Sequence, residues 1–567
     1  MMTVLIHLRL PLIWGAWLWV GVIGATGGAP TPVAFDLQQH INDAIRAGSR
    51  RIVVPPGRYR VTPRDRQHLV IRNLKDIQII ADGVEMICTE TTRALTITRC
   101  TNVTVRGLVI DYDPLPFTQG RITGFSPDKK LHEIELFEGY PPAEAARNFK
   151  YEIFRPDTRT LRGDDRYPSK VEAVGSRRLR VHIPGGRASD PEQMGDLIVF
   201  GAEYAPHGSM AHAVECNDNV NLRLENIDLF ASNCFGFLEN NCDGSVYSRC
   251  RIDRRSPEEA SVNRQNPRLR SLNADAFHSK HAVKGPSYLE CTARFMGDDG
   301  VNICGDYHMV MESRDREIRV LAKHNLNIQS GDTVELVTYE GRRFPDAKVV
   351  SILPAGTIRD EERAFLLQQR MNESLRTAKG ALTQAFWITL DRAVRLPIGS
   401  VICAANRIGN GFAVKDCTFG CNRSRGILIK ASHGEVRGNR IVGARMSAIL
   451  VTPEYWWLEA GSSIDVRIIG NTIRNCGDIP ICVEAVAGSG DIAPAGAHQN
   501  ITIRGNTVAD CSMPGILVTS TDGLQIENNT LNLSNDSHRI PGRMRQAGLA
   551  ELRPVVVINS ERKKATP

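Results

Sequence analysis

Beyond its first 29 residues the sequence has no apolar run long enough to cross a membrane, so nothing in the body of the chain reads as a membrane span. It also lacks a strong charge of either sign. The 70 basic and 63 acidic side chains leave +7, too weak a bias to imply nucleic acid as a partner. The densest basic stretch, RIDRRSPEEASVNRQNPRLR at 251–270, is interrupted by acids and prolines and reads as a solvated surface loop. No CxxC pair or His/Cys cluster has zinc-site spacing, and no motif demands calcium or another metal, so no cofactor is expected. The first cysteine is Cys88, which excludes a lipid-modified N-terminus. With 42% hydrophobic residues over 567 positions, the chain can bury a large core and is not extensively disordered.

What is there begins with MMTVLIHLRLPLIWGAWLWVGVIGATGGAP. His7 and Arg9 precede an apolar run, which ends in small residues from Gly24 to Ala29. That order reads as a secretory signal over 1–29 and predicts a secreted or periplasmic protein; a signal anchor is the alternative. Fourteen cysteines in an exported chain invite a disulfide framework. Their contexts (TITRCTNV, YLECTARF, AVKDCTFG, IRNCGDIP, VADCSMPG) instead place Cys at similar points of similar strand–turn units, as buried, stacked thiols.

Those units are a repeat. NVTVRGLVID, NVNLRLENIDL, GEVRGNRIVG, IDVRIIGNTIRNC, NITIRGNTVADC and GLQIENNTLNL each carry short alternating strands broken by Gly or Asn. Aligning the residue after the turn gives Phe419, Ile441, Ile473, Val508 and Leu531, at intervals of 22, 32, 35 and 23. The short intervals suit one coil of a right-handed parallel β-helix, and the long ones a coil carrying a loop. Asn439, Asn471, Asn506 and Asn529 recur at the bends, where Asn can adopt the left-handed conformation. Leu37, Ile41 and Ile45 mark one face of a short N-terminal capping helix.

Two stretches interrupt the repeat with alternating strands joined by Gly and Asp turns, and read as small antiparallel barrels or sandwiches that wall a substrate cleft. The expected organisation of this all-β chain follows from these breaks. It runs signal 1–29, cap and first coils 30–117, inserted domain 118–211, coils with an acidic site 212–305, a second inserted domain 306–410, and C-terminal coils 411–560.

The acidic site is read from CTARFMGDDGVNICG. Asp298 lies 23 residues after Asp275, the length of a short coil, so the two should stack at one edge of the helix with Asp299 beside them. Clustered like charges raise at least one carboxyl pKa, providing an acid and a base near neutral pH, which is what glycosidic cleavage requires. The alternatives are an Asx-capped turn or a calcium site. Gly297 and Gly300 would let the backbone turn tightly. CNRSRGILIKAS adds Arg423, Arg425 and Lys430, and ILVTPEYWWLEAGSSIDV adds Tyr455, Trp456, Trp457 and Glu459. Aromatic rings with a nearby carboxylate suit a sugar face and its hydroxyls. Loop packing is the alternative for the tryptophans, and a salt bridge fixing the acids is the alternative for Arg425. His278 either orients a carboxylate or caps the turn.

The segments NADAFH, DDGVNICG, CNRSRG and WLEAG together resemble those of glycoside hydrolase family 110, the exo-acting α-1,3-galactosidases, within the pectate-lyase-like β-helix enzymes. The pattern departs at Gly300, where Ala is expected, and at Cys304, where His is expected. The resemblance covers most of the chain after the signal. It implies an inverting hydrolase with Asp275, Asp298 and Asp299 as catalytic carboxyls; it also implies substrate contacts at Trp457 and Glu459, beside Arg425, His278, Asn302 and Lys430. A galactose-containing oligo- or polysaccharide is then the expected partner. Inversion predicts carboxyl groups about 6.5–9.5 Å apart. Three competing readings remain: a calcium-assisted polysaccharide lyase using Lys430 or Arg425, an endo-acting hydrolase of acidic galactans, and a non-catalytic glycan-binding β-helix.

Overall fold

The computed structural model describes residues 35–562, apart from 147–150, 163–166, 204–209, 257, 259–264, 378–380, 535–541, 547 and 550. The proposed signal lies outside the described residues.

Strands that are mostly short stack in register, coil upon coil, into parallel ladders, the arrangement of a right-handed parallel β-helix. One ladder runs from Gln67–Arg72 through Val214–Asn217, Phe277–Lys280, Val301–Asp306, Ile427–Ile429 and Ile481–Val483 to Val555–Ile558. The five positions aligned by sequence form one unbroken register: Phe419 pairs with Ile441, Ile441 with Ile473, Ile473 with Val508, and Val508 with Leu531. Inward side chains such as Val414, Val436, Ile468 and Ile503 are fully buried in the continuous core.

The bends differ from expectation in one respect. The left-handed residue is the one before each recurrent Asn: Gly438, Gly470, Gly505 and Asn528 have φ of 67°, 65°, 65° and 52°. This frees the next amide to bond along the helix. Asn439 Nδ2 donates to Asn471 Oδ1 at 3.0 Å, Asn471 Nδ2 to Asn506 Oδ1 at 2.9 Å, and Asn506 Nδ2 to Asn529 Oδ1 at 2.9 Å. Cys291 and Cys417 continue the same row, Cys291 N–H facing Cys417 Sγ at 3.3 Å and Cys417 N–H donating to Asn439 Oδ1 at 3.0 Å. All fourteen cysteines are free thiols and all but Cys421 are buried.

At the N-terminal end the helix Leu37–Arg46 buries Leu37 and Ile41. Its Gln38 amide satisfies the backbone of Val70 on the outermost strand, accepting from its N–H at 2.7 Å and donating to its O at 3.0 Å. An edge that would otherwise offer free pairing groups is thereby closed.

The first interruption contains a six-stranded antiparallel sheet, from Phe117–Phe125 to Leu197–Gly201. The second contains a closed six-stranded barrel, from His308–Arg314 to Val401–Ala404. Residues 37–567 form one compact unit, to which both belong. The coils close up across each interruption, Val214 pairing with Leu95 and Val301 with Ile427.

The basic stretch 251–270 is not the solvated loop expected of it. Arg255 and Arg268 both bind Asp111, and Arg270, only 2% exposed, donates to Glu152 on the antiparallel sheet at 3.0 Å. Arg255, Arg268 and Arg270 thus find carboxylates on neighbouring elements, and Arg270 ties that sheet to the β-helix.

Candidate active site

Coil register decides which acids meet. Phe277 pairs with Val301 and Val301 with Ile427, so the position of Asp275 recurs at Asp299 and then at Arg425. The stacking partner of Asp275 is therefore Asp299, not Asp298, because this coil spans 24 residues and not 23. Asp299 N–H points to Asp275 Oδ1 at 3.3 Å. Arg425, one coil further, donates its backbone N–H to Asp299 Oδ1 at 2.8 Å and pairs its guanidinium with Oδ2 at 2.9 Å.

Asp298 faces outward, its side chain 25% exposed, and pairs with Arg423 at 2.7 Å. Asn422 fixes the turn by donating to the carbonyls of Asp298 and Arg425, both at 2.8 Å. One oxygen from each of Asp275, Asp298 and Asp299 lies within 4.8 Å of the others. The three carboxyls thus converge, but more tightly than the expected separation. Adjacent coils of a parallel ladder lie about 4.8 Å apart, so Asp275 and Asp299, at equivalent positions of neighbouring coils, are held close.

The flanking glycines owe their place to this crowding and not to a left-handed turn. A Cβ on Gly297 would sit 2.6 Å from Asn273 O, and one on Gly300 2.4 Å from Gly426 O. Alanine at 300, as in the related motif, would require the next coil to move.

Burial, with the neighbouring Asp298 charge second, pushes Asp275 up to about 8. Asp299 rises to about 7, burial outweighing the attraction of Arg425. Near neutral pH this pair holds a proton that isolated aspartates would have lost. His278 Nδ1 lies 2.7 Å from Asp275 Oδ2, and burial lowers its pKa to about 3, so the ring stays neutral.

A second cluster adjoins the first. Lys430, fully buried, reaches Glu454 and Glu459 at 2.9 Å each and donates to Asn302 at 3.1 Å. The two glutamates face each other across the tight loop EYWWLE, and Arg425 approaches Glu454 at 3.7 Å. Although burial opposes it, Glu454 and Glu459 hold Lys430 above the ordinary lysine range, and Asp299 with Glu454 does the same for Arg425. Neither cation is a base near neutral pH, and both are already paired.

His278, Cys304 and Glu459 also bring donor atoms within 4.8 Å of one another. The lysine on Glu459 and the arginines on Asp298 and Asp299 supply the positive charge a cation would bring to either acidic group.

Arg425 and Glu454 join the site to a cleft of about 880 Å³ whose walls also include Trp456, Glu484 and Arg370, the last from the second interruption; Asp275, Asp298 and Asp299 are not among its lining residues. Trp456, 50% exposed, lines this cleft; Trp457, 42% exposed, is not among its lining residues. Sequence reasoning thus brought together Asp275, Asp298, Asp299, His278, Arg425, Asn302, Lys430 and Glu459. It missed Glu454, whose signal was the matching Glu five residues before Glu459.

Fold and site together define a parallel β-helix enzyme similar to glycoside hydrolase family 110. The family described as right handed beta helix region matches residues 401–531. Alpha-1,3-galactosidase B of Bacteroides thetaiotaomicron is 24% identical over 87% of this chain and 79% of its own length. Alpha-1,3-galactosidase A of Bacteroides fragilis is 22% identical over 87% of this chain and 84% of its own. Among solved structures, the A-module of an Azotobacter vinelandii mannuronan C-5 epimerase aligns with 89% of this chain and 95% of its own, at 11% identity and a TM-score of 0.37.

Proposed function

We propose that this protein is an exported glycoside hydrolase that removes terminal α-1,3-linked galactose from glycans, with the inversion that the family resemblance implies although its carboxyls stand closer than the usual inverting spacing. The observation that carries the reading is the stacked pair Asp275 and Asp299, which shares a proton near neutral pH and is tied through Arg425 to the wall of the 880 Å³ cleft. The shared family motifs and the names of the curated relatives support the sugar and the linkage. The order of residues in 1–29 supports export.

In the reaction, Asp275, the carboxyl that holds the shared proton, gives it to the glycosidic oxygen as the bond to the anomeric carbon breaks. Asp299 takes a proton from the water that attacks that carbon, while Asp298, fixed by Arg423, helps orient the water. The pair begins and ends with one proton, which returns from Asp299 to Asp275 when the products leave. Arg425 keeps Asp299 ionised until the proton from water reaches it.

The cleft weighs against an anionic substrate. Glu454, Asp478, Glu484 and Asp491 line it against Arg370 and Arg425. A lyase would need a free base, and Lys430 and Arg425 are both held protonated.

Proton NMR of a Galα1,3Gal oligosaccharide during the first minutes of hydrolysis tests the reading. β-Galactose appearing first supports inversion, α-galactose first replaces inversion by retention, and no galactose from folded protein ends the galactosidase reading.

A further inference from the structure

His278 stands in a row of three groups, with Asp275 Oδ2 2.7 Å from its Nδ1 and Cys304 Sγ 3.8 Å from its Nε2. The ring is held in place by stacking. Phe235 lies on it at 4.4 Å between centroids and 8° between planes, and His212 stacks against Phe235 at 4.8 Å. A neutral imidazole has one N–H and one lone pair, and its partners decide which nitrogen carries the proton. Cys304 is fully buried; burial first and the Glu459 charge second push its thiol up, so it keeps its S–H. A sulfur that donates to Nε2 puts the ring proton on Nδ1, facing Asp275.

We propose that Cys304 is a positioning residue whose thiol locks His278 in the Nδ1–H tautomer, capping Asp275 Oδ2 and leaving Oδ1 to exchange the catalytic proton. Oδ1 is also the oxygen that faces the next coil, 3.3 Å from Asp299 N. The proton leaves from Oδ1 to the glycosidic oxygen and is restored to it from Asp299; His278 and Cys304 keep theirs throughout. This assignment rests on the proposed role of Asp275 as the acid.

The charges around the row make the lock necessary. Glu459, with a carboxylate oxygen within 4.8 Å of both the His278 and Cys304 donor atoms, competes for a proton on Nε2. Lys430 on the adjoining coil and Lys280 on the histidine's own strand oppose it. Asp306 faces Cys304; Asp298, Asp299 and Arg425 face Asp275, and His212 stands beyond Phe235. Without the thiol, Glu459 draws the ring proton to Nε2, Asp275 Oδ2 loses its donor, and the carboxylate form of Asp275 is destabilised.

The test is ¹⁵N NMR of the histidine-labelled full-length protein, with the His278 signals assigned from a His278→Asn variant, across the pH range in which Asp275 and Asp299 titrate. The wild type is expected to stay neutral and Nδ1-protonated throughout. Cys304→Ala should move the proton to Nε2, shift the kcat/KM limb governed by Asp275 to higher pH, and lower kcat/KM about 10- to 100-fold. Cys304→Ser, which also donates, should restore the tautomer and the profile. A wild-type Nε2–H tautomer, or a Cys304→Ala variant with wild-type tautomer and pH profile, overturns the proposal. Should the alanine variant not fold, Cys304→Val fills the space without a donor and gives the same comparison. The NMR readout needs no substrate, so a wild type that releases no galactose sinks the proposed function while the tautomer result still stands by itself.

Discussion

At the residue scale, the site exploits a conflict between burial and charge. Asp275 and Asp299 are nearly inaccessible, 5% and 2% exposed, and are stacked on one another, so neither ionises as it would in water. Replacing either by Asn should lower kcat by about 10²- to 10⁴-fold, the usual worth of an acid or base, with little change in KM. The same conflict costs stability. A folded-state carboxyl pKa raised above the unfolded value means that the native state binds the extra proton. Its contribution is therefore complete below the unfolded pKa near 4 and is lost as pH rises through about 7 to 8. Asp299→Asn escapes that loss, so its melting temperature relative to wild type should rise with pH, by about 2 °C or more between mildly acidic and mildly alkaline buffer, as differential scanning fluorimetry would show. That the three aspartates come together was legible from the motifs. Their partners were less so: Asp298 and Asp299 are adjacent in sequence, yet one faces solvent and Arg423 while the other lies buried against Arg425.

At the element scale, the Asn row shows why the repeat was readable. An amide that both donates and accepts along the helix axis cannot be exchanged freely, so Asn439, Asn471, Asn506 and Asn529 mark the coils even where loops stretch the interval to 35 residues. Asn471→Ala leaves the Asn439 donors and the Val436 carbonyl unmatched, and should destabilise the fold by about 1–3 kcal/mol in urea unfolding while sparing the active site. The exact register was harder to read. Asp298 fell 23 residues from Asp275 and matched the shortest repeat interval, but the true coil has 24, because the length of each turn depends on loops whose conformation leaves no periodic trace. The glycines of GDDG lie in bends, as read, but the crowding that selects them was hidden for a similar reason. A turn residue and a residue squeezed by the next coil look alike in sequence, and only the neighbouring carbonyls of Asn273 and Gly426 tell them apart.

At the scale of the whole molecule, the interruptions leave the ladders in register, and the second sends Arg370 to the cleft. Trp456→Ala should raise KM for a galactose-terminated oligosaccharide while leaving kcat near wild type, measured against a Galα1,3Gal disaccharide as the short reference. Sulfated or uronic galactans should compete poorly with the neutral glycan, given the acids along the cleft. The stacked coils carry one last consequence. Acids at equivalent positions of neighbouring turns start from backbones about 4.8 Å apart, the rise of one coil. The scaffold therefore presets how close its stacked carboxyls stand, and leaves finer adjustment to side chains and framing loops.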